Sequence, residues 1–177
     1  MTRPLLILGS AACLFDDLAA LGPFDGEVMA VNESGAFVGG AIDHWASLHP
    51  ERFGGWLAER ARRGGNTDCT TWSFTAAPGV DRQEPKVERS GSSGLFAVRL
   101  ALHVLGCPRV VLAGMPLDDS RHVTDGPRRS GPSFVPYRPE WRQAARGEFE
   151  GRVRALSGWT AGVLGRPTVS WLAGGAA

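Results

Sequence analysis

Serine, glycine, histidine and carboxylate side chains fall in this chain where they could handle an anion and a proton. The segment Ser90-Gly91-Ser92-Ser93-Gly94 stands directly before an apolar run, Leu95 to Leu105, that reads as a helix. The first N–H groups of a helix lack internal partners and lie at the positive end of its dipole, so they attract phosphate or carboxylate. Small residues there let an anion reach the backbone, and a serine hydroxyl can also cap the helix, a structural role worth about 1 kcal/mol. Gly9-Ser10 and Asn32 follow two other apolar runs. An amide such as Asn32 both donates and accepts, which suits a ribose or a base edge; both sites also read as ordinary tight turns.

For proton transfer the chain offers His122, in a long segment after an apolar strand, and His49, at a strand exit before Pro50. Imidazole titrates near about 6.5, so either could take a proton from a hydroxyl. Asp118 and Asp119 are adjacent carboxylates that could hold Mg²⁺ through water. Tyr137, with Arg128, Arg129 and Arg138 nearby, could close over a phosphate leaving group. His44, inside a strand, reads as a packed or hydrogen-bonded histidine. His103, four residues after Arg99, reads as part of a solvated helix face.

The elements that must position these residues alternate between strand and helix. Pro4 to Leu8, Glu27 to Val31, Ile42 to Leu48, Thr67 to Phe74 and Arg109 to Gly114 read as strands. Leu14 to Leu21, Glu51 to Arg63 and Leu95 to Leu105 read as helices between them. Ala77 to Arg89 reads as a surface loop, and residues 115–139 as a long connection of the kind that forms lids or binding elements. Pro139 to Leu164 reads as mainly helical, with breaks near Gly147, Gly158 and Gly162, and Thr168 to Leu172 as a last short strand. The pattern predicts an α/β fold: one three-layer Rossmann-like domain over residues 1–177 with a mostly parallel sheet. Ligands bind such sheets at the carboxyl ends of the strands, which are Gly9-Ser10, Asn32-Glu33, His49, Phe74 and Gly114.

Composition narrows the functions. A formal net charge of +1 argues against a broad basic surface for duplex nucleic acid. The six tryptophans are scattered over separate elements, which fits packing better than a stacking platform. Three separated cysteines, Cys13, Cys69 and Cys107, make no disulfide framework or CxxC pair, which predicts a reducing, cytoplasmic setting. No apolar stretch reaches the roughly 20 residues of a membrane span. G-x-G-x-x-G after the first strand and G-x-x-x-x-G-K-[ST] are both missing, which argues against NAD and against a P-loop kinase. Oligomeric state is left open.

Three segments together resemble the Rossmann-like superfamily that contains the CMP-sialic acid-using bacterial sialyltransferases and the 6-hydroxymethylpterin pyrophosphokinase-like proteins, members of which occur in bacteria and phage. They are Leu5-Leu-Ile-Leu-Gly-Ser10; Met29-Ala-Val-Asn32; and Ser93-Gly94 with its helix to Gly106 and the strand Val110-Val-Leu-Ala-Gly114. Pro116 stands where the family commonly has an acidic residue, and Asp118 follows two positions later. The resemblance implies a nucleotide-sugar-dependent, sialyltransferase-like enzyme that moves a sugar to a hydroxyl on a small-molecule or glycan acceptor. Its nucleotide, CMP-type by the resemblance, would lie across Gly9, Ser10, Asn32, Ser92, Ser93 and Gly94. His122 or His49 would be the base, Tyr137 would assist the leaving phosphate, and no cofactor would be needed. Two alternatives stay open: a Mg²⁺-dependent pyrophosphokinase using Asp118 and Asp119, and a noncatalytic nucleotide- or partner-binding module.

Overall fold

The computed structural model describes residues 3–89, 91–125 and 133–174. Its strands are β1 (Leu5–Leu8), β2 (Glu27–Val31), β3 (His44–Ala46), β4 (Thr70–Ser73), β5 (Arg82–Gln83), β6 (Val110–Ala113) and β7 (Val153–Ala155). Among the described residues they form one sheet in the order β5-β4-β3-β2-β1-β6-β7, with every neighbouring pair parallel. Parallel strands need both faces covered, and β1 and β6 accordingly bury every residue.

The helices are α1 (Leu14–Leu21), α2 (Ser34–Phe37), α3 (Phe53–Arg62), α4 (Ser93–Arg99), α5 (Arg138–Arg146), α6 (Gly158–Leu164) and α7 (Val169–Leu172). Alternation along β1 separates two cores. Leu5 and Ile7 pack with Leu95 and Phe96 of α4 and Trp141 of α5, while Leu6 and Leu8 pack with Leu14, Phe53 and Trp56 of α1 and α3. The result is the expected three-layer α/β arrangement. From β1 the chain winds outward to β5 and then crosses to β6, so strand order reverses between β1 and β6. The crevice at such a reversal is the usual ligand position in open parallel sheets.

Four local expectations need correction. Arg82–Gln83, inside the expected surface loop, pairs with β4 as a two-residue edge strand. The Asn32–Gly35 turn runs straight into the single turn α2. The mainly helical stretch from Pro139 to Leu164 breaks at Gly147 and at Gly158 as expected, but the segment between holds the strand β7, reached through Glu150 and Gly151, both at positive φ. Thr168 to Leu172 is not a strand: the Thr168 hydroxyl accepts from the Trp171 N–H at 3.1 Å and caps the short helix α7. No helix among the described residues is long and apolar enough to cross a membrane.

Candidate functional site

Where β1 and β6 leave the sheet, backbone touches backbone. The Gly9 N–H donates to Ala113 O at 2.8 Å, and a Cβ on Gly9 would stand 2.3 Å from Gly114 O. Only glycine fits there. Gly114 has φ +65° and its N–H donates at 2.8 Å to buried Asp17, whose same oxygen accepts from Ser157. These contacts open the chain ends onto a cavity of about 730 Å³ at the carboxyl rim of the sheet.

The β2 exit forms the next part of the wall. Buried Ser34 donates its hydroxyl to Leu8 O at 2.7 Å and accepts from Val31 N–H at 3.0 Å, which pins the turn to both strands. Asn32 takes a left-handed φ of 54°, a conformation asparagine tolerates better than most residues. Its backbone oxygen accepts from Trp45 Nε1 at 2.6 Å, and its side-chain oxygen accepts from Ser47 at 2.8 Å. With the oxygen engaged, the amide nitrogen makes no hydrogen bond among the described residues, and Asn32 lines the cavity. Gly35 is required behind it, since a Cβ there would meet the Trp45 ring at 2.4 Å.

His122 is brought to this rim from 89 residues beyond Glu33. Ala12 N–H donates to Arg121 O and Val123 N–H to Ser10 O, each at 2.7 Å, so Ala11 and His122 pair as an antiparallel bridge. The ring then places Nδ1 2.7 Å from Glu33 Oε1, with both side chains less than a fifth exposed. Phe134 stacks on the imidazole at 5.2 Å between centroids. Burial alone would raise the Glu33 carboxyl, but hydrogen bonds from His122, from its own backbone and from Ser10 outweigh that and hold it below the ordinary glutamate value. An ionised Glu33 accepts a hydrogen bond from Nδ1–H, which fixes the orientation of the ring on the cavity wall, with Nε2 under 1 Å² exposed. The arrangement is a carboxylate-oriented imidazole, the form that serves as a general base.

The start of α4 forms the opposite wall. Ser92 is an N-cap: its hydroxyl accepts from Leu95 N–H at 3.3 Å and from Trp141 Nε1 at 3.3 Å. Ser93 accepts from Leu48 N–H at 3.2 Å, tying α4 to the β3 exit. A Cβ on Gly94 would crowd Met115 at 3.1 Å. All three line the cavity, as do Gly9, Ser10, Asn32 and His122.

His49 and Tyr137 line it as well, but more loosely. His49 is more than half exposed, 3.8 Å from Glu51, and Tyr137 rests against Phe134 at 6.4 Å. Asp118 and Asp119 are outside the lining. Asp118 accepts from the backbone and hydroxyl of Ser120, and Asp119 accepts from Ser133 at 2.5 Å. Among the described residues no three His, Cys, Asp or Glu groups gather as metal ligands. Ser90, Arg128 and Arg129 lie outside the described residues, and Arg138 donates to Leu117 O at 2.8 Å.

His44 is hydrogen-bonded as expected, accepting from Trp72 Nε1 and donating to Glu27. The expected solvated face through Arg99 and His103 is half wrong. Arg99 is buried and paired with Glu148 at 2.9 Å, whereas His103 is exposed beside the same carboxylate. Sequence reading placed Glu33 at the ligand-binding rim without a role and gave none to Phe134, Arg52 or Trp56, all of which line the cavity. Glu33 carried a signal, a carboxylate at a strand exit, but its partner is 89 residues away.

No family model matches the chain, and no curated protein matches it. Solved structures do. The fold is similar to that of the sialyltransferase CST-II in complex with a trisaccharide acceptor and CMP, with a TM-score of 0.65 at 11% identity over 94% of this chain and 86% of that one. It is similar also to the sialyltransferase CstII from Campylobacter jejuni with cytidine-5'-monophosphate, with a TM-score of 0.64 at 11% identity over 94% of this chain and 85% of that one. The CMP-3FNeuAc complex of CstII gives 0.58 at 12% identity, over 94% and 89%. At such identities the likeness is one of fold alone, an α/β architecture shared with these structures.

Proposed function

We propose that this chain is a sialyltransferase-like glycosyltransferase that moves a sugar from a nucleotide donor, CMP-type, to a hydroxyl acceptor. The observation that carries the reading is the 2.7 Å contact between His122 and Glu33 on the wall of the cavity that Ser10, Asn32, Ser93 and Gly94 also line. The nucleotide lies across Gly9, Ser10, Asn32 and the start of α4, with its phosphate against main-chain N–H groups. His122 accepts the acceptor's hydroxyl proton as that oxygen bonds to the anomeric carbon. The bond from this carbon to the phosphate oxygen breaks, and its electron pair leaves with the nucleotide. Glu33 stabilises the imidazolium that forms. Tyr137 and His49 stand at the rim, where they can touch the leaving group or acceptor. The fold shared with CMP-binding sialyltransferases supports the donor class.

A pyrophosphokinase reading needs carboxylates that hold Mg²⁺ beside the phosphates. Asp118 and Asp119 are not among the residues that line the cavity, and each accepts a hydrogen bond through Oδ1, from Ser120 and from Ser133, so the reading built on His122 is preferred. Turnover of CMP-sugar donors assayed with H122A is expected to fall by about 10²- to 10⁴-fold. It should persist in EDTA and in D118N. Unchanged turnover in both H122A and H49A would refute the base assignment, and binding of CMP with no transfer from any donor would identify a noncatalytic module.

A further inference from the structure

The cavity's third stretch of wall, at the β3 exit, carries a positive charge that the mechanism above does not use. Arg52 ends the short 3-10 turn Pro50–Arg52, is exposed, and lines the cavity. Its guanidinium carbon sits 5.3 Å from the centre of the Trp56 ring. Trp56 in turn stacks on Trp45 at 6.4 Å with planes 14° apart, and Trp45 donates to the Asn32 backbone oxygen. The guanidinium is thus the outer layer of an aromatic stack rooted at the β2 exit. A guanidinium seated on a ring keeps its N–H edge available in plane, which suits bidentate binding of a carboxylate or phosphate.

Two acids of the cavity wall are engaged elsewhere. Glu33 is held by His122, and Glu59 binds Arg62 and Arg63 at 2.7 and 2.6 Å. Arg52 itself makes no ion pair or hydrogen bond through its side chain among the described residues. Arg52 follows β3, which lies two strand spacings, about 10 Å, from β1 and its exit at Gly9.

We infer that Arg52 is a specificity-determining residue that reads a second anionic group, a carboxylate or phosphate carried by the donor's sugar or by the acceptor. The inference rests on the nucleotide site proposed above and adds a charge requirement to it. Calorimetric titration tests both separately. Wild type, R52K and R52A are titrated with CMP, with CMP conjugates of a neutral and of a carboxylate-bearing sugar, and, at saturating CMP, with neutral and carboxylate-bearing oligosaccharides.

Wild type is expected to prefer the anionic member of one pair, and the pair that shows the preference identifies donor or acceptor as its source. R52A should reduce that preference about tenfold or more, and R52K, which keeps the charge but loses the fork, by an intermediate factor. CMP binding without an anionic preference, or a preference that survives in R52A, overturns the role of Arg52 and leaves the nucleotide site standing. Absence of CMP binding in wild type, with no conjugate bound, overturns both.

Discussion

Two walls of the same cavity are built by different means. On the sheet side, Gly9, Asn32 and Gly114 are fixed by backbone packing and main-chain hydrogen bonds, with a missing Cβ at Gly9 and positive φ at Asn32 and Gly114. On the arm side, His122, Phe134 and Tyr137 are held by a short antiparallel bridge, ring contacts and the Glu33 carboxylate. The sheet side tolerates no displacement because it is part of the core. The arm side is fastened by polar contacts that a substrate or a proton can alter. The contrast separates a scaffold from a chemical group: damage to the first should register as lost stability, and damage to the second as lost turnover.

The largest effect should come from breaking the sheet side. G9A puts a methyl group 2.3 Å from Gly114 O and 2.4 Å from Met115 Cγ. Because one contact is backbone, β1 and β6 must separate, at a cost of about 3 kcal/mol or more. Denaturant unfolding of G9A should show a lower midpoint at similar slope. A variant as stable as wild type would mean the two exits are not rigid and the contrast is false. On the arm side E33Q should do the reverse. It keeps the shape but replaces the acceptor that orients His122, so turnover should fall at least about tenfold with little change in CMP affinity. A loss confined to affinity would make Glu33 a binding group.

A smaller effect sharpens the comparison at the start of α4, where one residue has both roles available. S92A removes the acceptor for Leu95 N–H and Trp141 Nε1 and should cost about 1 kcal/mol of stability. If Ser92 is a cap, CMP affinity should hold once the variant is folded. A drop in affinity well beyond the stability loss would show that the hydroxyl also reaches the ligand.

How far the sequence reveals these walls follows the same division. Continuous apolar runs ending in small or polar residues marked β1, β2 and β6, and with them Gly9, Ser10 and Asn32, because buried parallel strands need such runs. Ser92, Ser93 and Gly94 were legible as a helix start for a similar local reason. What local pattern could not show was pairing over distance: Glu33 with His122, or the Trp45–Trp56–Arg52 stack that spans β3 and α3. The C-terminal errors have a different cause. Val153–Ala155 is a three-residue strand with Arg154 at its centre, too short to establish alternation. Thr168 to Leu172 is rich in β-formers, yet a single Thr168 cap outweighs that preference and turns it into a helix. Short elements at the sheet's margin are decided by one or two tertiary contacts.

The smallest expected effect tests whether the two walls differ in their response to protons. Glu33 lies below its ordinary value of 4.5 in the folded chain. A carboxylate whose folded pKa is depressed releases protons more readily folded than unfolded, so its stabilising contribution is complete above the unfolded value. It is lost as pH falls through the lowered folded value. Wild type should therefore lose stability more steeply than E33Q as pH falls below about 4.5, the ordinary glutamate value, because in E33Q that linkage is gone. The sheet side contains no titrating group at Gly9, so G9A should be offset from wild type by a constant amount over the same range. Thermal melts of the three proteins at matched ionic strength give the comparison directly. Parallel curves for wild type and E33Q would show that the Glu33–His122 contact adds nothing to the fold, and would leave the arm held by its backbone bridge and the Phe134 ring instead.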